Sequence, residues 1–252
     1  MRTTVKFAYN GRNFYGYARQ PQLRTVEGDI IKSLIKYGFI EDTKESNFKT
    51  SSRTDKNVSA LCNVIAFNTS ASKKQIIEIL SDEFIDIIFY GIANVEPDFN
   101  PRYAKYRHYR YYLKNSDLDI EKIINTAACF TGTHNFSNFA KVEAFKDPVR
   151  TIDNIILSED TDFIIIDFYA QTFLWHQVRR IISALIKIGK GKLSKQEIVE
   201  ALANPEKKVD YGLAPAEPLI LMNIVYYFEF ESDSKQEKKF KKIKEKLTLS
   251  LY

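Results

Sequence analysis

Cysteine is scarce in this chain, and long apolar runs and nucleotide-binding fingerprints are missing from it. Its 252 residues include two cysteines, Cys62 and Cys129, both in apolar surroundings, which predicts buried free thiols and neither a disulfide framework nor a metal cluster. No apolar stretch approaches the roughly 20 residues that cross a bilayer, so we expect no membrane partner. Residues 1–4 lead directly into a strand pattern, from which we expect no signal peptide and a cytoplasmic protein.

The composition is that of an ordinary globular protein with a mild basic excess. Hydrophobic residues make up 44% and charged residues 27%, enough for one large domain or two small ones. The net charge of +5 permits an anionic partner without requiring one. The 15 tyrosines and 18 phenylalanines are interleaved with Lys and Arg, which suits stacking on unpaired bases, although aromatic core strands have the same composition.

The most informative polar segment runs from residue 50 to residue 60, just before an apolar strand pattern. Its centre holds Arg53, Thr54 and Asp55. Asn57 tolerates a left-handed backbone, so we expect a tight turn there. Flanking strands would make the loop stiff, and it would present one carboxylate, that of Asp55. A solvated hairpin loop with a surface aspartate is the alternative that these residues leave open.

The alternation at residues 107–113 predicts a strand with cations and phenols on both faces. Arg107 and Tyr109 point one way, and Arg110 points the other way. This is not the pattern of a normal core strand, and it fits the wall of a cleft near phosphates. An exposed aromatic strand is the alternative.

Residues 171–183 lead into a predicted amphipathic helix that carries Arg179 close to its N-terminus. The helix macrodipole disfavours a cation at that position, which suggests a compensating anion nearby. A solvated arginine explains the sequence equally well.

The polar loop and this helix resemble motifs of the TruA family of tRNA pseudouridine synthases. Residues 52–60 match the family's small-residue–Arg-Thr-Asp–x–x–Val–x–Ala pattern, whose Asp is the catalytic nucleophile. Ser59 stands where many members have His. Residues 173–181 match Phe-x-x-His-x-x-Arg-x-Ile, in which His176 is the histidine and the arginine pairs with the catalytic Asp.

Two more segments resemble the same family, in the same order along the chain. Residues 12–20 are similar to a segment that lies beside the RNA path, with Tyr17 at the usual Trp position and Arg19 two residues later. Residues 99–111 resemble the Phe-x-x-Arg…Lys/Arg-x-Tyr-x-Tyr strand, which places Tyr109 at the family's active-site Tyr.

The resemblance implies an α+β fold and a reaction. We expect two α/β halves, residues 1–98 and 99–252, with antiparallel sheets joined into a pseudo-symmetric pseudouridine synthase fold around a central basic cleft. It also implies a homodimer that binds tRNA and isomerises uridine to pseudouridine at positions 38–40 of the anticodon arm, without a cofactor or a metal.

The resemblance also assigns roles. Asp55, Tyr109 and Arg179 are the predicted catalytic residues. The carboxylate acts either as a nucleophile at the sugar or as a base at C2′, and Arg179 offsets the cost of burying its charge. Tyr109 stacks on the target base, and Arg53 fills the gap that the base leaves. The predicted RNA-binding residues are Arg53, Thr54, Arg19, Tyr17, Arg107, Arg110 and His176.

Two alternatives belong to other functional classes. A catalytically silent tRNA-binding protein of the same fold is suggested by the departures at Ser52, Lys56, Asn57 and Ser59. An enzyme acting on a small metabolite would need a phosphate loop or nucleotide fingerprint, and the sequence has neither.

The last part of the sequence predicts a strand at residues 223–230 that closes the sheet, followed by a lysine-rich helix at residues 235–246. Phe240, Ile243 and Leu247 form one apolar stripe on this helix. The helix either packs with its lysines solvated or contacts phosphates.

Overall fold

The computed structural model divides the chain into two compact units. It describes residues 1–160, 162–232 and 234–249, with the side chains of residues up to 248. Unit 1 comprises Met1–Lys105 and Ile220–Tyr252, and unit 2 comprises Tyr106–Leu219. Residues 220–252 are expected in the second half, whereas the described residues among them pack with unit 1, because the last strand pairs with a strand of its sheet and the last helix packs on that sheet.

Unit 1 is built on a sheet that is antiparallel except at one edge. Its strands are β1 (Arg2–Tyr9), β2 (Lys49–Thr50), β3 (Ser59–Asn68), β4 (Ile87–Val95) and β10 (Leu219–Val225). The strand order is β4–β1–β3–β10, with β2 also paired to β3. Strand β10 runs parallel to β3, with Ile220 opposite Ser59 and Leu221 opposite Ala60.

Three helices accompany this sheet, α1 (Val26–Lys36), α2 (Lys73–Glu83) and α6 (Ser234–Leu249). A hydroxyl side chain caps the start of each of the first two. The Thr25 hydroxyl accepts a hydrogen bond from the Gly28 backbone, and Ser72 and Gln75 form a reciprocal capping box. Helix α6 packs on β4, where the Phe240 ring stacks on Tyr90 at a centroid distance of 4.2 Å.

Unit 2 contains a second antiparallel set of strands. Its elements are β5 (Tyr106–Lys114), α3 (Ile120–Ala127), β6 (Gly132–Asn135), β7 (Val149–Ile152), β8 (Asn154–Asp160), β9 (Phe163–Ala170), α4 (Gln177–Gly189) and α5 (Lys195–Ala203). The strand order is β5–β9–β8, in which β8 and β9 form a hairpin, and β6 pairs with β7 in a separate ribbon. Helix α4 buries the apolar side that its spacing predicts, including Val178, Ile181 and Leu185.

The final strand lies earlier than the sequence predicts. We expected it at residues 223–230, but β10 ends at Val225. The alternating aromatic residues beyond it form a ring cluster instead, because Tyr226 and Phe228 both pack edge-on against Phe99, at 5.5 and 5.3 Å. The aromatic residues alternate here because they pack on one ring. A period of two in the sequence does not distinguish this arrangement from a strand. Across the described residues, no helix has the length and apolarity to cross a membrane.

Candidate active site

Asp55 lies in the segment that joins β2 to β3, which we call the Asp55 loop (residues 51–58). The Asp55 carbonyl accepts a hydrogen bond from the Val58 backbone at 3.2 Å and closes a tight turn. Asn57 occupies the left-handed region with φ of 71°, as predicted. Asp55 is half-buried, whereas its neighbours Arg53 and Lys56 are exposed. The loop therefore presents one carboxylate between two accessible cations.

A buried amide beneath the loop fixes its first part. Asn63, on β3, is fully buried, and its side chain donates to the Ser52 carbonyl at 2.8 Å and accepts from the Ser52 backbone N–H at 3.3 Å. The same amide oxygen accepts from Val64 at 2.8 Å. Asn63 thus supplies the loop with the pair of hydrogen bonds that a neighbouring strand would otherwise give. Sequence reasoning missed this residue, because an Asn inside an apolar strand pattern is the only signal.

Two tyrosines support the middle of the loop. The Tyr9 hydroxyl and the Thr54 hydroxyl are 2.8 Å apart, and the Tyr17 backbone N–H donates to the Thr54 carbonyl at 3.1 Å. The Tyr17 hydroxyl accepts from Thr50 at 2.5 Å. Tyr17 is fully buried, and this burial raises its pKa well above the ordinary value. Tyr17 and Thr54, both expected at an RNA surface, are buried, because Tyr17 lies beneath the loop and the Thr54 side chain bonds inward from it.

The end of the loop packs against a short 3-10 turn, Gly11–Asn13. A Cβ on Gly11 would lie 2.1 Å from the Val58 carbonyl oxygen, so this close approach requires glycine. The Gly11 backbone N–H donates to the Ser59 hydroxyl at 3.0 Å. Ser59, which replaces the histidine of many family members, thus joins the loop to this turn. At the loop's start, the Tyr226 hydroxyl donates to the Ser51 hydroxyl at 3.0 Å.

Arg19 is the other predicted RNA-binding residue of unit 1, and it is accessible. Its side chain is 55% exposed, and its backbone N–H donates to the Glu27 carboxylate at 3.0 Å. The guanidinium lies 3.9 Å from the same carboxylate. Arg19 is therefore anchored through its backbone and leaves its charge toward solvent.

In unit 2, Tyr109 and Tyr111 point to the same side of β5, as the alternation predicts. Tyr109 is 9% exposed, and its ring packs edge-on against the ring of Phe173, with the two ring centroids 5.3 Å apart. Tyr111 is buried, and its hydroxyl donates to the Pro215 carbonyl at 3.2 Å. Burial raises the pKa of Tyr111 above its ordinary value.

His176 and Arg179 flank the start of helix α4. His176 is the residue before the helix and has a left-handed backbone with φ of 64°, a conformation that His tolerates better than most residues. The Arg179 Nε donates to the Ala214 carbonyl at 2.8 Å, and the Ala214 N–H donates to the Arg179 carbonyl at 3.2 Å. Arg179 is therefore bonded to residue 214 through both its side chain and its backbone.

The two remaining predicted cations of β5 are engaged inside unit 2. Arg107 is 5% exposed and donates to the Gln171 carbonyl. Arg110 donates two hydrogen bonds to the buried Asp167 carboxylate, at 2.8 and 2.9 Å, and His108 Nε2 lies 2.6 Å from the same group. Burial alone would raise the pKa of Asp167, but the hydrogen bonds from His108 and Arg110 outweigh it and lower that pKa below its ordinary value.

Replacing Asn63 with Leu should loosen the Asp55 loop. Asn63→Leu leaves the Ser52 N–H and carbonyl without buried partners, so we expect the free energy of unfolding to fall by about 2 kcal/mol. Amide hydrogen exchange of residues 51–58 should speed up by more than that of the rest of β3. The exposed Asn154→Leu on β8 is the matched control and should change stability by less than about 0.5 kcal/mol. Unchanged exchange in the loop would refute the role of Asn63.

Asp167→Asn should destabilise the protein at neutral pH by about 2 kcal/mol. Because the pKa of Asp167 is lower in the folded state, its contribution is complete above the unfolded value of about 3.9 and is lost as the pH falls through the folded value. Urea unfolding of wild type and variant from pH 7 to pH 3 should therefore show a difference that disappears on the acid side. Glu159→Gln, exposed on β8, serves as the control. A difference independent of pH would contradict this account.

Among the described residues, no group of three His, Cys, Asp or Glu side chains is arranged to hold a metal ion. Besides Asp55, residues 51–57 of the loop carry hydroxyl, amide and cationic side chains. They suit a reaction that uses one carboxylate as a nucleophile or base, beside groups that bind phosphates.

Comparisons with known proteins agree with the sequence motifs. The model of a family described as tRNA pseudouridine synthase matches residues 126–227. The tRNA pseudouridine synthase A of Thermococcus sibiricus is 46% identical over 96% of this chain and 91% of its own length. The protein of the same name from Thermococcus kodakarensis is 41% identical over 95% of this chain and 90% of its own length.

One further relative aligns over most of both chains, whereas a solved structure aligns over less. The tRNA pseudouridine synthase A of Methanobrevibacter smithii is 39% identical over 89% of this chain and 83% of its own length. A solved Cbf5-Nop10-Gar1 complex aligns with 71% of this chain and 46% of that chain, with 13% identity and a TM-score of 0.38, a likeness too low to support an inference. On the similarity of its curated relatives over nearly the whole chain, this protein belongs to the TruA family of tRNA pseudouridine synthases.

Proposed function

We propose that this protein converts uridine to pseudouridine at positions 38–40 of the tRNA anticodon arm, with Asp55 as the catalytic carboxylate. The observation that carries the assignment is the support given to one half-buried carboxylate. Asn63 and Tyr9 bond the loop from below, and Gly11 approaches it too closely for any other residue. Rigid presentation of a single reacting group favours a fixed attack geometry.

The reaction needs no external oxidant or reductant. The C1′–N1 bond of uridine breaks, the base turns, and a C1′–C5 bond forms. The proton on C5 is lost and N1 gains one, so atoms and electrons balance within the nucleoside. Asp55 can assist either as a nucleophile at the sugar or as a base at C2′. A 2′-deuterated target uridine separates these roles, because only removal of the C2′ proton gives a primary isotope effect.

The position of each of the other residues within its own unit, or its place in a motif, supports the role that we propose for it. Tyr109 contacts the target base through a ring whose orientation is fixed by Phe173. Arg179 remains a proposed catalytic residue on the strength of the motif at residues 173–181. The exposed Arg53 and Arg19 have charges available to RNA, and Arg53 is our candidate to fill the space left by an extruded base.

Asp55→Asn tests the catalytic assignment directly. With tRNA transcripts that carry tritium at C5 of uridine, wild type should release tritium to solvent, and Asp55→Asn should release it about 10⁴-fold more slowly. Binding of the same transcript, measured by fluorescence anisotropy, should change by only a few-fold. Turnover retained by Asp55→Asn would refute the proposed mechanism.

Two further measurements, on the Tyr109→Phe variant and on small substrates, accompany this test. Tyr109→Phe keeps the packing on Phe173 but removes the hydroxyl, so unchanged rates would exclude that hydroxyl from proton transfer. Free uridine and UMP should not react, whereas their turnover would favour a small-metabolite enzyme. A catalytically silent tRNA-binding protein, which none of the relatives described above supports, would bind the transcript without any release.

We also propose that the protein acts as a homodimer, as the family resemblance implies. Sedimentation equilibrium at micromolar concentration should then report twice the chain mass of 29.3 kDa. A single species of the chain mass, fully active in tritium release, would contradict the dimer.

A further inference from the structure

The basic excess of the whole chain is located in one helix. Helix α6 contains seven lysines and two glutamates, an excess of five positive charges. The chain has 37 Lys and Arg against 32 Asp and Glu, also an excess of five. The remaining residues therefore carry 30 charges of each sign. A basic surface confined to one element is typical of a specific anionic contact, whereas a solubilising charge would be distributed.

This helix is held in one orientation on unit 1. Ile243 and Leu247 are buried, and Phe240 stacks on Tyr90. On one flank, Lys239 and Lys235 bind the Asp82 carboxylate of α2, at 2.8 and 3.1 Å. The apolar stripe and these ion pairs fix the rotation of the helix, so its remaining lysines point in defined directions.

Of the five other lysines of the helix, four lie close together between residues 241 and 246. They are Lys241, Lys242, Lys244 and Lys246, which we call the α6 lysines. All four are exposed, and none forms an ion pair within the described part of the chain. Lys242 and Lys246 continue the line of Lys235 and Lys239 at intervals of three and four residues, which places these four lysines on one ridge of the helix, and Lys241 and Lys244 lie on another face.

The ridge leads to the edge of the unit 1 sheet that carries the Asp55 loop. Lys242 and Lys246 line a cavity of about 340 Å³ together with Asn10 and Asn13, which follow β1. At this edge Tyr9, the last residue of β1, pairs with Ala60 at the start of β3. The Asp55 loop ends directly before β3, and Gly11 packs against it.

We infer that the α6 lysines bind the sugar-phosphate backbone of the substrate tRNA beyond the nucleotide that reacts at Asp55. The inference rests on the proposed function, since it gives the same RNA a second contact. Helix α6, with 16 residues, is about 24 Å long, so its ridge can follow several phosphates. Lysine on such a ridge binds as a point charge, which suits phosphates irrespective of sequence.

The test is the salt dependence of tRNA binding. Each phosphate contact contributes about 0.7–0.9 to the slope of log K against log salt concentration. The variant K241Q/K242Q/K244Q/K246Q should therefore reduce the magnitude of this slope by about 3, measured by anisotropy with a full-length transcript between 50 and 300 mM KCl. KM for the transcript should rise about tenfold, while kcat at saturation should stay within a factor of two.

The control removes the same charge elsewhere on unit 1. Lys32, Lys44, Lys49 and Lys74 are exposed, and K32Q/K44Q/K49Q/K74Q should leave slope and KM close to wild type. Arginine at the four α6 positions should restore both. An unchanged slope in the α6 variant, or an equal loss in the control, would overturn the inference and leave general charge or an acidic protein as the explanation.

Failure of this inference can be told apart from failure of the proposed function. The slope is a binding measurement that needs no turnover, whereas absence of tritium release from wild type would refute the synthase and leave the slope unaffected. Thermal unfolding of each variant confirms that it is folded. The double variant K242Q/K246Q, with about half the expected change in slope, serves as the test if the quadruple variant unfolds.

Discussion

The geometry of the Asp55 loop depends on a buried polar network that replaces a missing strand partner. Strand β2 has two residues, so the chain that follows it has little ladder to support it. The Asn63 amide bonds to the Ser52 backbone, and the Thr54 hydroxyl bonds to the Tyr9 hydroxyl. These polar groups would be costly to bury without partners. Low-dielectric surroundings strengthen these hydrogen bonds. Loss of one of them would leave its partner buried without a hydrogen bond, which costs free energy in the same surroundings. The loop is stiff because a change in its conformation would break these hydrogen bonds and leave the buried polar groups without partners.

Unit 2 uses buried charge in a comparable way. Asp167 lies between His108 and Arg110 on two paired strands, and this position accounts for the cations that make β5 unlike a core strand. The sequence pattern of β5 was interpreted as a surface for phosphates. The structure shows that part of its charge is internal, because an acidic residue on β9, 57 residues away in sequence from Arg110, is placed opposite it. Cross-strand pairing of this kind follows from register, which local patterns do not specify.

The sequence predicted the elements that have local causes. The turn at Asn57 and the buried side of α4 each depend on residues within one turn or one helix, and both are confirmed. It did not predict Asn63 or the position of β10, because these depend on contacts between distant segments. Tyr17 shows the same limit. A tyrosine among arginines suits RNA stacking, and only the fold shows that its ring is enclosed under the loop.

The return of β10 to unit 1 has a consequence for the order of events during folding. Tyr226 bonds to Ser51 across 175 residues of sequence, and β10 pairs with β3 over a similar separation. Contacts this far apart in sequence require a large loop to close before they form, and such closures slow folding. During synthesis, the Asp55 loop would leave the ribosome long before the residues that anchor its first part. The nascent protein would therefore acquire its complete loop support only near the end of translation, and a ribosome-bound chain without residues 219–226 would hold the carboxylate less firmly.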